Sequence, residues 1–278
     1  MKKILITGNS GYIGSHLTQM LQKDSRYEIY GLDKNSPLIE IQKHFYENIR
    51  HDFQRWVASD IEFDCVIHMA AEVAVGRSVH NPILYYQTNT IGTLNVLEKL
   101  RYKNFVFAST GSASGMNSPY SISKKAAEEI VEQYCREKSI PFTTFRFYNV
   151  VGTDGIPPTN PDGLMWNLIK AKETGKFNLF GNDYNTEDGT CVRDYTHVNE
   201  ICHGLIQGIE GPTNQIENLG HGVGSTVLQM IDLFKKVNDC NFEVVNVGRR
   251  AGDLERTVLP TPSKYMKHLY TIEDLMKI

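Results

Sequence analysis

The sequence predicts an α/β fold: a doubly wound parallel sheet, followed by a smaller C-terminal α/β domain that binds substrate. Three observations predict it. Short apolar runs alternate with longer amphipathic stretches, a glycine-rich turn joins the first run to the first helical stretch, and the texture changes near residue 150. The runs 3–7, 28–32, 65–68, 105–108 and 143–147 are too short for helices and read as strands buried on both faces. Between them, 13–22, 83–100 and 119–138 carry helical patterns. Strand–helix alternation implies parallel strands, because each crossover must pass over one face of the sheet. Beyond residue 150, the stretch 155–163 is rich in Pro, Gly, Asn and Asp and reads as a loop. Helical patterns follow at 164–173, 198–209 and 225–237. The expected domains are 1–150 and 151–278, with part of 190–210 returning to the first.

Composition narrows the partners. The net charge is −3 and the pI is about 6.3, so nothing electrostatic favours nucleic acid or an anionic membrane. Any phosphate is therefore held by a few placed groups. The five cysteines (Cys65, Cys135, Cys191, Cys202 and Cys240) are odd in number, scattered and without a C-x-x-C pair. That pattern predicts neither a disulfide framework nor a zinc site, and it suits the reducing cytoplasm. No metal site is expected. The opening apolar run stops at Thr7-Gly8, too soon for a signal peptide, and no stretch is long enough to span a bilayer.

Gly8, Gly11 and Gly14 follow the first strand and open the first helix, with Tyr12 and Ile13 between the last two. Three glycines at this spacing allow a tight turn, a close approach to a pyrophosphate, and helix packing on the strand. The helix N-terminus then offers free N–H groups to the phosphates. This is the Rossmann arrangement. Asp33, at the end of the second strand, accepts from both ribose hydroxyls and repels a 2′-phosphate, so the expected cofactor is NAD rather than NADP. Asn48 and Ile49 after the third strand, and Ala70 and Ala71 after the fourth, occupy loops that face the ligand in such a sheet. Asn89 is expected to hold its segment near the site; a helix-packing role is the alternative.

Tyr120 and Lys124 lie four apart at the start of a helical pattern, hence on one helical face. A free tyrosine ionises near pH 10 and is a poor base at neutrality; a neighbouring ammonium and a positive nicotinamide favour its phenolate. Thr110, ten residues before Tyr120, adds a hydroxyl able to share a hydrogen bond with an alcohol losing its proton. The three make a coherent site for removing hydride from an alcohol.

With these residues in view, the sequence resembles the extended short-chain dehydrogenase/reductase superfamily, and most of all its UDP-glucose (UDP-galactose) 4-epimerases, over nearly the whole chain. The sharpest stretch is 180–198, from Phe180-Gly181-Asn182-Asp183-Tyr184 to Arg193-Asp194-Tyr195-Thr196-His197-Val198. Arg146-Phe147-Tyr148-Asn149, Asn218-Leu219-Gly220 and 249–254 match as well. The resemblance implies that Thr110, Tyr120 and Lys124 are catalytic, with the last two also touching NAD. It implies that Asn149, Phe180, Arg193, Asn218, Arg250 and Asp253 hold the UDP-sugar with Thr110. Thr257, four residues after Asp253, would stand near the hexose C2 substituent and leave room for N-acetyl sugars. Arg256 is the competing occupant of that position. A homodimer is the expected assembly.

The chain departs from the family pattern in three places. The Thr110–Tyr120 loop is much shorter, Asp162-Gly163-Leu164-Met165 replaces N-N-L-M, and the chain stops early at Met276-Lys277-Ile278. Among related chemistries, a 4,6-dehydratase needs an acid and a base beside the threonine, where this chain has Gly111 and Ser112. A nucleotide-sugar reductase using NAD(P), or a catalytically silent UDP-sugar binding protein, stays open as an alternative.

Overall fold

The computed structural model describes residues 1–41, 43–50, 60–250 and 252–278. Along the chain run β1 (Lys2–Thr7), α1 (Tyr12–Gln22), β2 (Tyr27–Asp33), β3 (His44–Tyr46), β4 (Glu62–Phe63), β5 (Cys65–His68), α2 (Val75–His80) and α3 (Pro82–Tyr85). A π-helical turn, Tyr86–Ile91, leads into α4 (Gly92–Lys99), β6 (Arg101–Tyr102), β7 (Phe105–Thr110), α5 (Pro119–Lys138) and β8 (Phe142–Phe147). The second half holds β9 (Asn149–Val151), α6 (Leu164–Thr174), β10 (Lys176–Leu179), β11 (Val192–His197) and α7 (Val198–Glu210). It continues through β12 (Gln215–Leu219), β13 (Gly224–Thr226), α8 (Val227–Val237), β14 (Glu243–Asn246) and β15 (Arg256–Thr257).

Seven strands form one parallel sheet in the order β12-β8-β7-β5-β1-β2-β3. Successive residues of β1 serve opposite faces, as the two-residue period of a strand requires. Ile4 and Ile6 pack with Leu17 and Leu21 of α1 and with Ile201, Leu205 and Ile209 of α7. Leu5 joins Val96 and Leu97 of α4 and Ala127, Val131 and Cys135 of α5 on the other face. A sheet covered on both faces explains why its strands are near-continuous apolar runs. The strand order reverses beside β1, between β2 and β5, and there a crevice opens at the carboxyl ends.

A second core gathers Val151, Met165, Leu168, Phe177, Leu179, Tyr195, Met230, Ile231 and Phe234 from β9, α6, β10, β11 and α8. The chain does not stay in this smaller unit. β11 pairs within the small sheet, with β9, β13 and β15, whereas α7 and β12 come back to the large one. The returning segment thus starts at Val198 and reaches Leu219, past the 190–210 stretch expected from sequence. The 83–100 pattern is one continuous helical stretch, 82–99, with the π-helical turn Tyr86–Ile91 inside it. The 225–237 helix begins only at Val227, because Ser225 and Thr226 first pair with β11. All five cysteines are free, and among the described residues no helix is long and apolar enough to cross a membrane.

Candidate active site

The crevice is a cavity of about 640 Å³ running from the β1–α1 turn, past the ends of β5 and β7, to β11 and β15. Gly8 has a φ of +77°, and a Cβ there would lie 2.7 Å from the Ala70 nitrogen. At Gly14 a Cβ would come within 2.2 Å of the Gly8 carbonyl, so only glycine lets the helix sit this close to the strand. Gly11 meets only the Gly8 carbonyl, at 3.3 Å, and otherwise faces the cavity. A side chain there would fill a cradle that a pyrophosphate fits. Tyr12, Ile13, Asn48, Ile49, Ala70 and Ala71 line the same end, and Tyr12 donates its hydroxyl to the Gly152 carbonyl. Asp33 sits at the end of β2 with its carboxylate accepting from the Ser10 N–H (3.3 Å) and the Asn35 N–H (2.9 Å). Lys34, its cationic neighbour, reaches across to Glu72 (3.0 Å). Its charge is therefore engaged, which favours a bare ribose over a 2′-phosphate. These residues fit an NAD dinucleotide.

Helix α5 starts where local chemistry dictates. Ser118 caps α5 in a reciprocal box with Ser121, and Pro119 occupies the first helical position. Tyr120 and Lys124 then project from one face, opposite Thr110 at the end of β7. The Lys124 Nζ donates to the Ala108 carbonyl at 2.6 Å and lies 4.1 Å from the centre of the Phe107 ring. Burial lowers Lys124 to about 7, with Glu128 pulling it back up. Burial likewise raises the Tyr120 hydroxyl above the ordinary tyrosine value, although the ring keeps an exposed edge at the cavity; a hydrogen bond from Thr110 opposes that shift. Thr110 also shares a hydrogen bond with the Ser112 hydroxyl (3.1 Å).

At the far end Asn149, Arg193, Arg250, Asp253 and Thr257 line the cavity. Phe180 lines an adjoining cavity of about 140 Å³ that shares Asn149, Arg193, Arg250 and Asp253. The Arg250 guanidinium lies 3.5 Å from the centre of the Phe180 ring, a cation–π contact. Arg193 stands 3.8 Å from Asp253, whose carboxyl burial raises and the two arginines lower. Thr257 pairs with Arg193 across the β11–β15 ladder and faces the cavity, whereas the Arg256 guanidinium turns toward Gly224. Of the quoted stretch 249–254, Ala251 lies outside the described residues.

Two expected site residues are elsewhere. Asn89 is buried; its amide accepts from the Glu72 N–H (2.8 Å) and donates to the Glu72 carbonyl (3.0 Å) and the Ser123 hydroxyl (2.9 Å). It staples the loop after β5 to α5, with its polar atoms spent on protein. Asn218 lies in β12, in register with Arg146, away from both cavities. Asp194, fully buried, accepts from the N–H groups of His221 (3.0 Å) and Gly222 (2.8 Å), just beyond it, and of Leu259 (3.3 Å). Sequence reasoning missed Asn117, Tyr148, Asn160 and Trp166, which also line the main cavity. Tyr148 follows a strand and Asn117 and Asn160 sit in polar loops, which is the only signal they carry; Trp166, on α6, carries none.

A family model described as "NAD dependent epimerase/dehydratase family" matches residues 4–220. The chain belongs to this family. Within it, the chain is 31% identical to a Haemophilus influenzae UDP-glucose 4-epimerase, over 96% of this chain and 91% of that one. It is 33% identical to a Mycoplasma genitalium UDP-glucose 4-epimerase, over 84% and 81%. Among solved structures, the UDP-glucose 4-epimerase of Bifidobacterium longum in complex with NAD+ and UDP superposes with a TM-score of 0.85 at 26% identity, covering 99% of this chain and 96% of that one. The UDP-Glc/GlcNAc 4-epimerase of Campylobacter jejuni does so with a TM-score of 0.79 at 27% identity, covering 98% and 96%. The family is NAD-dependent, and the cradle around Gly8, Gly11 and Asp33 has the shape that cofactor needs.

Proposed function

We propose that the protein is a UDP-hexose 4-epimerase that interconverts UDP-glucose and UDP-galactose through a transient 4-keto sugar. The observation that carries this reading is the union, in one cavity, of Thr110, Tyr120 and Lys124 with Arg193, Arg250 and Asp253. NAD supplies the hydride acceptor and donor at sugar C4. Tyr120, as phenolate, takes the 4-hydroxyl proton and later returns it. Thr110 hydrogen-bonds the same sugar oxygen and keeps it in line. Lys124 contributes positive charge that favours the phenolate. Arg193 and Arg250 carry the charge and donors to grip a diphosphate while the keto sugar turns over, and Phe180 offers a flat face to the uracil. Asp253 accepts from ribose hydroxyls.

A dehydratase reading loses ground at Gly111. A Cβ there would stand 2.9 Å from the Tyr148 ring, so a carboxylate side chain would enter only if that ring shifted. Thr257 at the cavity wall favours acceptance of N-acetylhexosamine substrates. The relevant assembly is a homodimer. Ile83, Ile91, Leu94 and Ile122 are exposed on α3, the π-turn, α4 and α5, an apolar face suited to a second copy; light scattering tests it. A cytoplasmic location suits five free cysteines.

The deciding experiment incubates purified protein with UDP-galactose and, separately, UDP-GlcNAc, and follows the products by NMR. Inversion at C4 of both is expected. Recovery of UDP-galactose unchanged overturns the epimerase reading, and refusal of UDP-GlcNAc alone overturns the role given to Thr257.

A further inference from the structure

Glu128 is fully buried, yet it is a carboxylate on the same face of α5 as Tyr120 and Lys124, one turn further along. Such a group costs free energy unless it is paired and hydrogen-bonded. Its pairing is specific. Oε1 accepts from the Ser109 hydroxyl at 2.6 Å and from the Arg146 Nε at 2.8 Å, and Oε2 accepts from the Arg146 Nη2 at 2.6 Å. The Lys125 Nζ stands 3.6 Å from Oε2. Ser109 immediately precedes Thr110, and Arg146 faces Ser109 across the β7–β8 ladder. The remaining arm of Arg146, Nη1, donates to the Ser114 hydroxyl at 2.9 Å, in the turn that follows Thr110.

We propose that Glu128 is the positioning residue of the catalytic site: its carboxylate ties the Thr110 end of β7 to the Tyr120–Lys124 face of α5. The short connection gives this tie its importance. Nine residues, 111–119, separate Thr110 from Tyr120, and beyond this turn the contact between strand end and helix is what sets their distance. One carboxylate instead sets strand end, turn and helix together. A purely structural ion pair would need only Arg146; the bond to Ser109 is the part that reaches the chemistry.

The consequence is electrostatic as well as geometric. Around Lys124 stand Tyr120 and Glu128 on its own helix, the Ala108 carbonyl from β7, and His68 from β5, whose imidazole burial holds neutral at about 3. Glu128 is thus the negative charge that favours the Lys124 ammonium. Tyr120 faces Thr110 from β7 and the Tyr85 ring at 6.2 Å from α3; the charges of Arg77, Glu72 and Asp162 act on Tyr85 rather than on Tyr120. Weakening the Thr110 hydrogen bond pushes the Tyr120 ionisation upward.

The proposal rests on the alcohol-oxidising reading of the site, and its test has a readout that needs no turnover. Two NAD-loaded variants are compared with wild type. Ser109→Ala removes only the strand-end hydroxyl; Glu128→Gln keeps size and an acceptor oxygen but removes the charge. The Tyr120 midpoint is read from the phenolate absorbance that each protein shows and its Tyr120→Phe counterpart lacks. Both midpoints are expected to rise by about one pH unit. In UDP-galactose turnover kcat is expected to fall roughly tenfold or more, with KM nearly unchanged. If Glu128→Gln does not fold, Ser109→Ala decides alone. An unmoved Tyr120 midpoint in Ser109→Ala overturns the proposal, whatever its kcat. Absence of turnover in wild type would instead sink the epimerase reading and leave the midpoint comparison standing.

Discussion

Lys124 has given up nearly all its water to a pocket of backbone carbonyl and aromatic ring, and its affinity for a proton falls to about 7. The folded value is below the unfolded one, near 10.4. Between these values the unfolded chain binds a proton that the folded chain does not, so stability rises with pH across that window. Below it, the cofactor-free protein bears the full cost of a buried ammonium. Lys124→Met should therefore raise the melting temperature of cofactor-free protein, more near pH 6 than near pH 9. Calorimetry that finds the same gain at both pH values would contradict the burial argument. The i, i+4 spacing of Tyr120 and Lys124 made both legible, since helical periodicity fixes a shared face. Asn89 was not legible in the same way. An amide can serve a ligand or a backbone equally well, and the approach of Glu72, 17 positions away, decides between them.

The elements were legible in proportion to how local their causes are. The start of α5 follows from Ser118, Pro119 and Ser121, three neighbouring residues that cap and pre-set the first turn. Because Tyr120 sits in that turn, the cap also sets how its side chain enters the cavity. Ser118→Ala should cost about 1 kcal/mol of stability and lower kcat more than it raises KM. Denaturant unfolding with steady-state kinetics checks both; full activity in the variant would show that the turn is held by packing alone. The π-helical turn inside the 83–100 helix has no comparable local signal. The wide turn lets Thr88 face the cavity while Asn89 turns inward to Ser123, and such a switch arises from tertiary contacts.

At the scale of the molecule, the two sheets are joined by a chain that crosses between them and by one buried carboxylate. Asp194 on β11 accepts three backbone N–H groups, from His221, Gly222 and Leu259, and so ties the end of the returning strand and the C-terminal segment to the substrate side. Glycine at 220 makes room, since a Cβ there would lie 2.9 Å from the Asp194 carboxylate. Asp194→Asn turns one acceptor oxygen into a donor facing donors. It should cost about 1–3 kcal/mol and weaken UDP binding more than NAD retention. Calorimetric UDP titration beside an assay of bound NAD checks it; equal loss of both would mean that the tie holds the whole fold rather than one side of the cleft.

The sequence by itself determined the parallel sheet, the dinucleotide turn and the Thr110–Tyr120–Lys124 site, because each is written in residues close in sequence: a two-residue or four-residue period, or glycines where no side chain fits. Only packing settled that Asn89 serves the framework and Asn218 lies away from both cavities, that Thr257 and not Arg256 faces the main one, and that the chain returns through Leu219. It also decided that Glu128 binds Ser109. Each of these turns on which distant segment comes to rest beside a residue able to serve several partners, and that is settled only when the sheets pack.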